Sequence, residues 1–373
     1  MEKNLLGGKF YICSMKRTLA IVSCSLLLAA AACSPDHPSA AADGTQTDTT
    51  VTPGTPADTT VTPAPPEPDR DWSWTDGYPV GVTVEPFAED LGEGDKCLGF
   101  VATIDFAENP NLRFICTRAQ KKKGPSAFFA DLSEDQGKAV IATNGGYFAG
   151  STSVSLVAHA GNFVINAFRA FNWPNDENAQ TTIYPVRSAI GRMPDGHFEI
   201  RWVYCTSVAF KTHTAFPSWL DNNEKTETFM SEPPTADYCE GTWSWEPEDA
   251  IGGGPRLVRD GMDVSTDAYW GECLDSGGTA AFSRVPRTAV GITADGRLVL
   301  IVCDGRGSGG SKGYTLTDLA AKFISLGCTD AMNLDGGGSS CIVGSDGKIL
   351  NNPSDGSERA VSSAVIISEI PHN

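Results

Sequence analysis

The sequence predicts an α+β fold: a single mixed α/β-sheet domain whose Gly-rich loops form the pocket, not a Rossmann or TIM-barrel fold. Three observations lead to it. Short apolar runs, β-branched or aromatic-rich and bounded by Gly, Pro or Asp-Gly, recur through most of the 373 residues; that is the pattern of strands and turns. One long amphipathic segment late in the chain carries both a helix start and a helix stop. The regular strand–helix alternation that builds a parallel sheet is missing.

The strand-like runs are 97–106, 112–117, 139–143, 198–203, 288–293, 298–303 and 361–367. Ala294-Asp-Gly-Arg297 reads as the hairpin connection between two of them. In the helix, Thr315 is placed as the cap and Asp318 as its reciprocal partner. Leu319, Phe323, Ile324 and Leu326 form the apolar stripe, and Gly327 stops it. A shorter polar helix is expected near 126–132. Residues 206–250, with Trp219, Trp243, Trp245 and Pro233-Pro234, show no clear period and read as a long insertion or lid.

Charge divides the chain into three parts. The total is −18, from 28 Lys+Arg and 46 Asp+Glu. Lys3, Lys9, Lys16 and Arg17 against Glu2 leave residues 1–33 at +3, while residues 34–70 carry −5 and the remaining body −16. Such acidity argues against nucleic acid as a partner. Met15-Lys-Arg17 followed by the apolar run 19–32 has the length of a signal h-region, short for a membrane span. Leu28-Ala-Ala-Ala-Ala-Cys33 resembles a bacterial lipoprotein processing box, which implies lipidation of Cys33 after removal of 1–32, with Met15 as a possible true start. The alternative is an ordinary secretory signal with an incidental Cys. Ser34 after the cysteine resembles an outer-membrane address, so the expected location is the bacterial cell envelope, with the membrane contacted through the lipid anchor alone. Residues 34–70 hold eight Pro, nine Thr and no Leu, Ile or aromatic residue. They cannot bury enough apolar area to offset their chain entropy, and read as a tether. The body, 71–373, is expected to be one catalytic domain and a monomer.

Eight Cys lie in the body, and an exported location permits disulfides; for Cys303 and Cys328 a buried free thiol is equally expected. Without a CxxC and with five His, zinc is not expected.

Four glycine clusters follow apolar runs: Asn144-Gly-Gly-Tyr-Phe148, Gly252-Gly-Gly-Pro-Arg256, Asp304-Gly-Arg-Gly307 and Asn333-Leu-Asp-Gly-Gly-Gly-Ser339. Each could be only a tight turn. Glycines after strands also let backbone approach a ligand and form anion-binding nests. None matches a phosphate-binding P-loop or a dinucleotide fingerprint. Three place Asn or Asp at the strand end, and Arg256, Arg287, Arg306 and Arg359 stand in or near the clusters. Carboxylates beside Arg and N–H donors could bind an anionic substrate and hydrolyse it.

In order and spacing these clusters, with Arg287-Thr-Ala-Val-Gly and Pro353-Ser-Asp-Gly-Ser-Glu-Arg359, resemble the phosphodiester glycosidase family over about 138–367. The resemblance implies hydrolysis between a sugar anomeric carbon and a phosphodiester oxygen. Sugar phosphodiesters or glycans would be the substrate, and no cofactor is required. Asp335 or Asp304 would be the carboxylate at the sugar carbon, the other activating water. Arg287 and Arg306 would hold phosphate, and Glu358 joins the catalytic set. Asn144 and Asn333 would bind sugar hydroxyls. Gly145, Gly146, Gly253, Arg256, Gly336, Gly337, Gly338, Ser339, Asp355 and Arg359 complete the binding loops. Asp304, Asp335 and Asp355 could cluster on a divalent cation, but no calcium-loop ladder supports one. The Trp-rich stretch and the piece around 168–178 depart from the family pattern, so both are expected to reshape the substrate rim. A glycan-binding or attachment module, or a phosphodiesterase cutting P–O, remains an alternative.

Overall fold

Strands dominate the protein because its apolar runs are buried on both faces. The computed structural model describes residues 77–371 apart from 174–180, 208, 210–211 and 277. The signal segment, Cys33, the tether, Trp72 and Trp74 lie outside the described residues. Leu298–Cys303 is buried throughout. Side chains alternate across a strand, however, so its two faces go to different neighbours. Leu298, Leu300 and Val302 enter the central core, whereas Val299, Ile301 and Cys303 pack under the helix Leu316–Ser325 with Leu319, Ala320 and Phe323.

Three sheets enclose that core. The first has seven strands in the order Val82–Gly92, Asp95–Ile104, Leu298–Cys303, Arg287–Thr293, Cys328–Asn333, Arg256–Arg259 and Met262–Asp263. The second orders Ile342–Val343, Lys138–Asn144, Val361–Glu369 and Leu112–Lys123. The third runs Trp243–Ser244, His213–Phe216, Phe198–Cys205, Arg187–Arg192, Asp249–Gly252, Val157–His159 and Asn162–Ile165. Phe100, Phe114, Ile141, Ile190, Ile251 and Val290 bring all three inner faces together.

The expected mixed α/β sheet is therefore corrected. The chain is mainly β, 43% strand against 12% helix, with several antiparallel sheets that curl into a half-barrel. The strand pairs among the described residues run antiparallel. The reason is physical. A strand buried on both faces leaves the same unbroken apolar run whether helices or other sheets cover it, so the runs and the missing strand–helix alternation do not separate one mixed sheet from several antiparallel ones. Here other sheets supply half of that cover.

Local expectations fare better. Thr315 and Asp318 form the reciprocal capping box, and the 294–297 turn joins Arg287–Thr293 to Leu298–Cys303. The short helix is Pro125–Ala130. The Trp-rich insertion is more integrated than a lid: it contributes His213–Phe216 and Trp243–Ser244 to the third sheet, and Trp245 is fully buried. Cysteines 97, 116, 205, 273, 303, 328 and 341 are buried thiols, with Cys239 partly exposed.

Candidate active site

Strand register gathers the glycine clusters at one edge of the sheets. Arg287 lies opposite Cys303, the residue before Asp304. Ala289 lies opposite Asn333, and Ala364 opposite Asn144. The loops joined to these strand ends meet around Asp335.

Asn144 ties them together. It is wholly buried, and its Nδ2 donates to the Asp335 carbonyl at 2.7 Å. Its Oδ1 accepts from Thr288 Oγ1 at 2.7 Å and from Cys341 N–H at 3.2 Å. One side chain thus links the first sheet, the second sheet and the Asp335 turn. Gly145 and Gly146 are needed for the same approach. A Cβ on Gly145 would lie 2.5 Å from Ser363 Oγ, and one on Gly146 would collide with the Gly252 carbonyl.

Asp335 begins the triple-glycine turn. Burial raises its carboxyl to about 6 from the ordinary 3.8, opposed by hydrogen bonds from Ser339 and Gly336 N–H and by the Arg359 charge. Three arginines ring this turn. A Cβ on Gly336 would sit 3.8 Å from Arg287 Cδ, one on Gly337 would sit 3.2 Å from an Arg306 terminal nitrogen, and one on Gly338 would overlap the Arg359 guanidinium. Glycine at these positions leaves room for the cations.

The three cations differ. Arg287 is buried, and donates from Nε to Tyr314 O at 3.0 Å and from its terminal nitrogens to the carbonyls of Thr279, Ala280 and Ser283 at 2.8–3.1 Å. No carboxylate pairs with it among the described residues, and burial lowers its pKa. It fixes the 279–283 loop and leaves a positive charge beneath the turn. Arg359 is paired with Asp355 at 2.7 Å and reaches Ser339 Oγ at 3.5 Å. Arg306 is exposed, adopts φ 57°, and makes no hydrogen bond or ion pair among the described residues.

Asn333 and Tyr147 form the opposite wall. Asn333 Nδ2 faces Tyr147 Oη at 2.9 Å and the carbonyls of Gly254 and Leu334 at 3.1 and 2.6 Å. Two carbonyl oxygens fix that amide orientation, so Oδ1 is turned away; it is buried and accepts no hydrogen bond. Tyr147 Oη donates to Gly254 O at 2.7 Å, and burial pushes its pKa up to about 12, so it stays a neutral hydroxyl. Gly253 N–H donates to Ser188 O at 3.0 Å, and its backbone packs on the Asn333 carbonyl.

Other expected site residues are placed elsewhere. Asp304 is buried, with Oδ1 accepting from Asn351 Nδ2 and Asn352 N–H at 3.0 and 2.8 Å, and Oδ2 from Asn352 Nδ2 at 2.9 Å. Glu358 accepts from Ser126 N–H at 2.9 Å, at the start of the helix Pro125–Ala130. Arg256 points into the core, paired with Asp330 and stacked 4.7 Å from the Trp202 ring. Asp304, Asp335 and Asp355 do not form a metal-holding group, and none exists among the described residues.

Three contributors are not apparent from sequence. Tyr147 sits inside the Asn144–Phe148 cluster, where nothing local marks it as a site residue. Arg187 donates to the carbonyls of Glu272 and Cys273 at 3.1 and 2.7 Å. Glu272 is fully buried and accepts from Ser188 N–H, Ser188 Oγ, Trp202 Nε1 and Arg256 N–H at 2.5–3.0 Å. Burial raises its pKa despite these bonds. It stands directly behind Gly254, whose Cβ would collide with it. A lone Glu after a short helix carries no sequence signal for such a role.

Residues 137–368, more than half of the chain, match the phosphodiester glycosidase family model. The chain belongs to the phosphodiester glycosidase family. An SPbeta prophage-derived uncharacterized protein, YomE of Bacillus subtilis (strain 168), is 51% identical over 83 residues, 22% of this chain and 13% of that protein. The N-acetylglucosamine-1-phosphodiester alpha-N-acetylglucosaminidase of Bos taurus is 34% identical over 104 residues, 26% of this chain and 19% of that enzyme. These matches therefore span less than a fifth of either curated relative. Among solved structures, the zebrafish catalytic domain of the same enzyme, auto-inhibited by its pro-peptide, superposes with TM-score 0.52 at 17% identity, over 79% of this chain and 86% of that one. That likeness is one of fold.

Proposed function

We propose that this phosphodiester glycosidase hydrolyses the bond between a sugar anomeric carbon and a phosphodiester oxygen, on exported or surface glycans. The observation that carries the reading is Asp335, a carboxyl raised by burial to about 6 at the head of a glycine turn that three arginines line. Such a group is ionised at neutral pH, yet retains more basicity than an ordinary aspartate. It can attack the anomeric carbon or activate the water that does.

Glycoside cleavage generally uses a second carboxyl to protonate the leaving group. A departing phosphodiester is a weak base and has less need of that proton. Arg306, Arg359 and the fixed charge of Arg287 stabilise the phosphate as it leaves. Asn333 and the neutral Tyr147 hydroxyl that its Nδ2 faces form the wall proposed to hold the sugar. Asn144, Asp304 and Glu272 act as positioning residues that hold the loops in register.

Cys33 lipidation in the bacterial cell envelope, at the outer membrane, is part of the same proposal and rests on the sequence signals. The test is release of reducing sugar from a panel of sugar-1-phosphodiesters by the purified protein. Turnover that disappears in Asp335→Asn supports the assignment. No turnover across the panel, or equal turnover by the variant, refutes it and favours a glycan-binding module.

A further inference from the structure

Phe171–Trp173 and Thr181–Ile183 meet the Trp-rich insertion around a second cavity. The short hairpin Phe171–Trp173 with Thr181–Ile183 brings Trp173 to Phe229 of the Trp-rich insertion, ring centroids 5.1 Å apart. Asn222 Nδ2 holds the Tyr184 carbonyl at 2.9 Å. Between them lies a cavity of about 590 Å³. Ligand pockets run about 300–1,000 Å³, so the space suits a ligand.

Its lining has a specific chemistry. Trp173, Tyr184 and Phe229 offer aromatic surface, Thr181, Thr182 and Ser231 offer hydroxyls, and Glu227 offers a carboxylate. No Lys or Arg lines it among the described residues. Aromatic faces take up the C–H faces of sugar rings, while hydroxyls and a carboxylate bond the rim of sugar hydroxyls. A phosphate or uronate would meet Glu227 without a compensating cation from that lining, so an anionic chain is disfavoured.

The cavity also connects to the active site. Arg187, which contacts the Glu272 and Cys273 carbonyls and whose charge reaches Tyr147, stacks 5.7 Å from the Phe168 ring and 5.8 Å from Phe171. Phe168 and Phe171 are themselves stacked at 6.1 Å. Phe171 leads within two residues to Trp173. The short strand Phe171–Trp173 thus carries the Arg187-stacked ring at one end and a wall of the second cavity at the other.

We infer that the Trp173–Phe229 cavity is a distal subsite for a neutral oligosaccharide, and that a substrate carrying such a chain is bound more tightly than a small sugar phosphodiester. The substrate-class part rests on the hydrolase reading above; the binding part does not. The test uses the whole protein on an array of neutral and anionic oligosaccharides. Neutral chains are expected to be retained, and Trp173→Ala to weaken that retention at least about tenfold. Glu227→Gln, on an exposed side chain, is expected to weaken it several-fold without altering the folded state. The same Trp173→Ala protein should keep wild-type kcat/KM on a minimal methyl sugar-1-phosphodiester, and show a raised KM on one carrying a retained oligosaccharide. Retention of no glycan, retention of anionic chains only, or unchanged binding by both variants overturns the subsite. Retention without any hydrolysis leaves the subsite standing and sinks the catalytic reading instead.

Discussion

Replacing Asp335 by Asn should make the protein more stable and less active, and the pH dependence of both effects is fixed by one number. Burial lifts the Asp335 carboxyl from 3.8 to about 6. At 1.36 kcal/mol per pH unit, that rise corresponds to roughly 3 kcal/mol between the charged and neutral forms. The folded-state value is the higher one. The stabilisation that protonated Asp335 provides is therefore complete below about 3.8 and is lost as pH rises through about 6. At pH 7 the native protein holds a desolvated anion, and Asn removes that cost. Asn gives up charge-assisted bonds from Ser339 and Gly336 N–H, worth about 1 kcal/mol or a little more, so the net gain should be about 1–2 kcal/mol. Urea unfolding at pH 7.5 and pH 4 measures it. The gain should be present at the higher pH and vanish at the lower, where Asp335 is itself protonated. In the same variant kcat should fall by about 10²–10⁴-fold. A destabilised Asp335→Asn protein, or a gain of equal size at both pH values, would refute the electrostatic account.

Arg306→Ala removes an exposed cation that braces nothing, so stability should change by less than about 0.5 kcal/mol while KM rises about tenfold, read by steady-state kinetics. Gly338→Ala places a methyl group against the Arg359–Asp355 pair, and kcat should drop in steady-state kinetics. Glu272→Gln can keep an oxygen towards Ser188 Oγ, Trp202 Nε1 and Arg256 N–H but turns its –NH2 against Ser188 N–H, and should cost about 1–3 kcal/mol in denaturant midpoint analysis. His213 is buried, stacked on Phe163 at 3.7 Å, and accepts from Ala167 N–H, and burial lowers its pKa to about 4 from 6.5. Its folded-state value is the lower one, so stability should be lost as pH falls from about 6.5 towards 4, by up to roughly 3 kcal/mol. His213→Phe should flatten that limb.

Much of this site was legible as sequence, because tight loops need glycine whatever the surrounding fold. The Asn-Gly-Gly and Asp-Gly-Gly-Gly runs marked where backbone passes close to a neighbour, and each passes within a collision distance of another loop or an arginine. The start and stop of Leu316–Ser325 were equally local and equally readable. Fold class was not, because burial by a second sheet and burial by a helix layer leave the same apolar run in the strand. Roles were harder still. Asp304 and Asp335 look alike in sequence, each an Asp before Gly after a strand. Only their neighbours separate them: Asn351 and Asn352 bind both oxygens of the first, while the second accepts from Ser339 and Gly336 N–H beside the Arg359 charge. Glu272 and Arg187 depend on contacts across 70 or more positions and leave no local trace.

The most direct test of the account is hydrolysis of a sugar-1-phosphodiester in ¹⁸O-labelled water. The Asp335 assignment requires attack at the anomeric carbon, so the label should appear in the released sugar. Label in the phosphate would mean P–O cleavage and would contradict it.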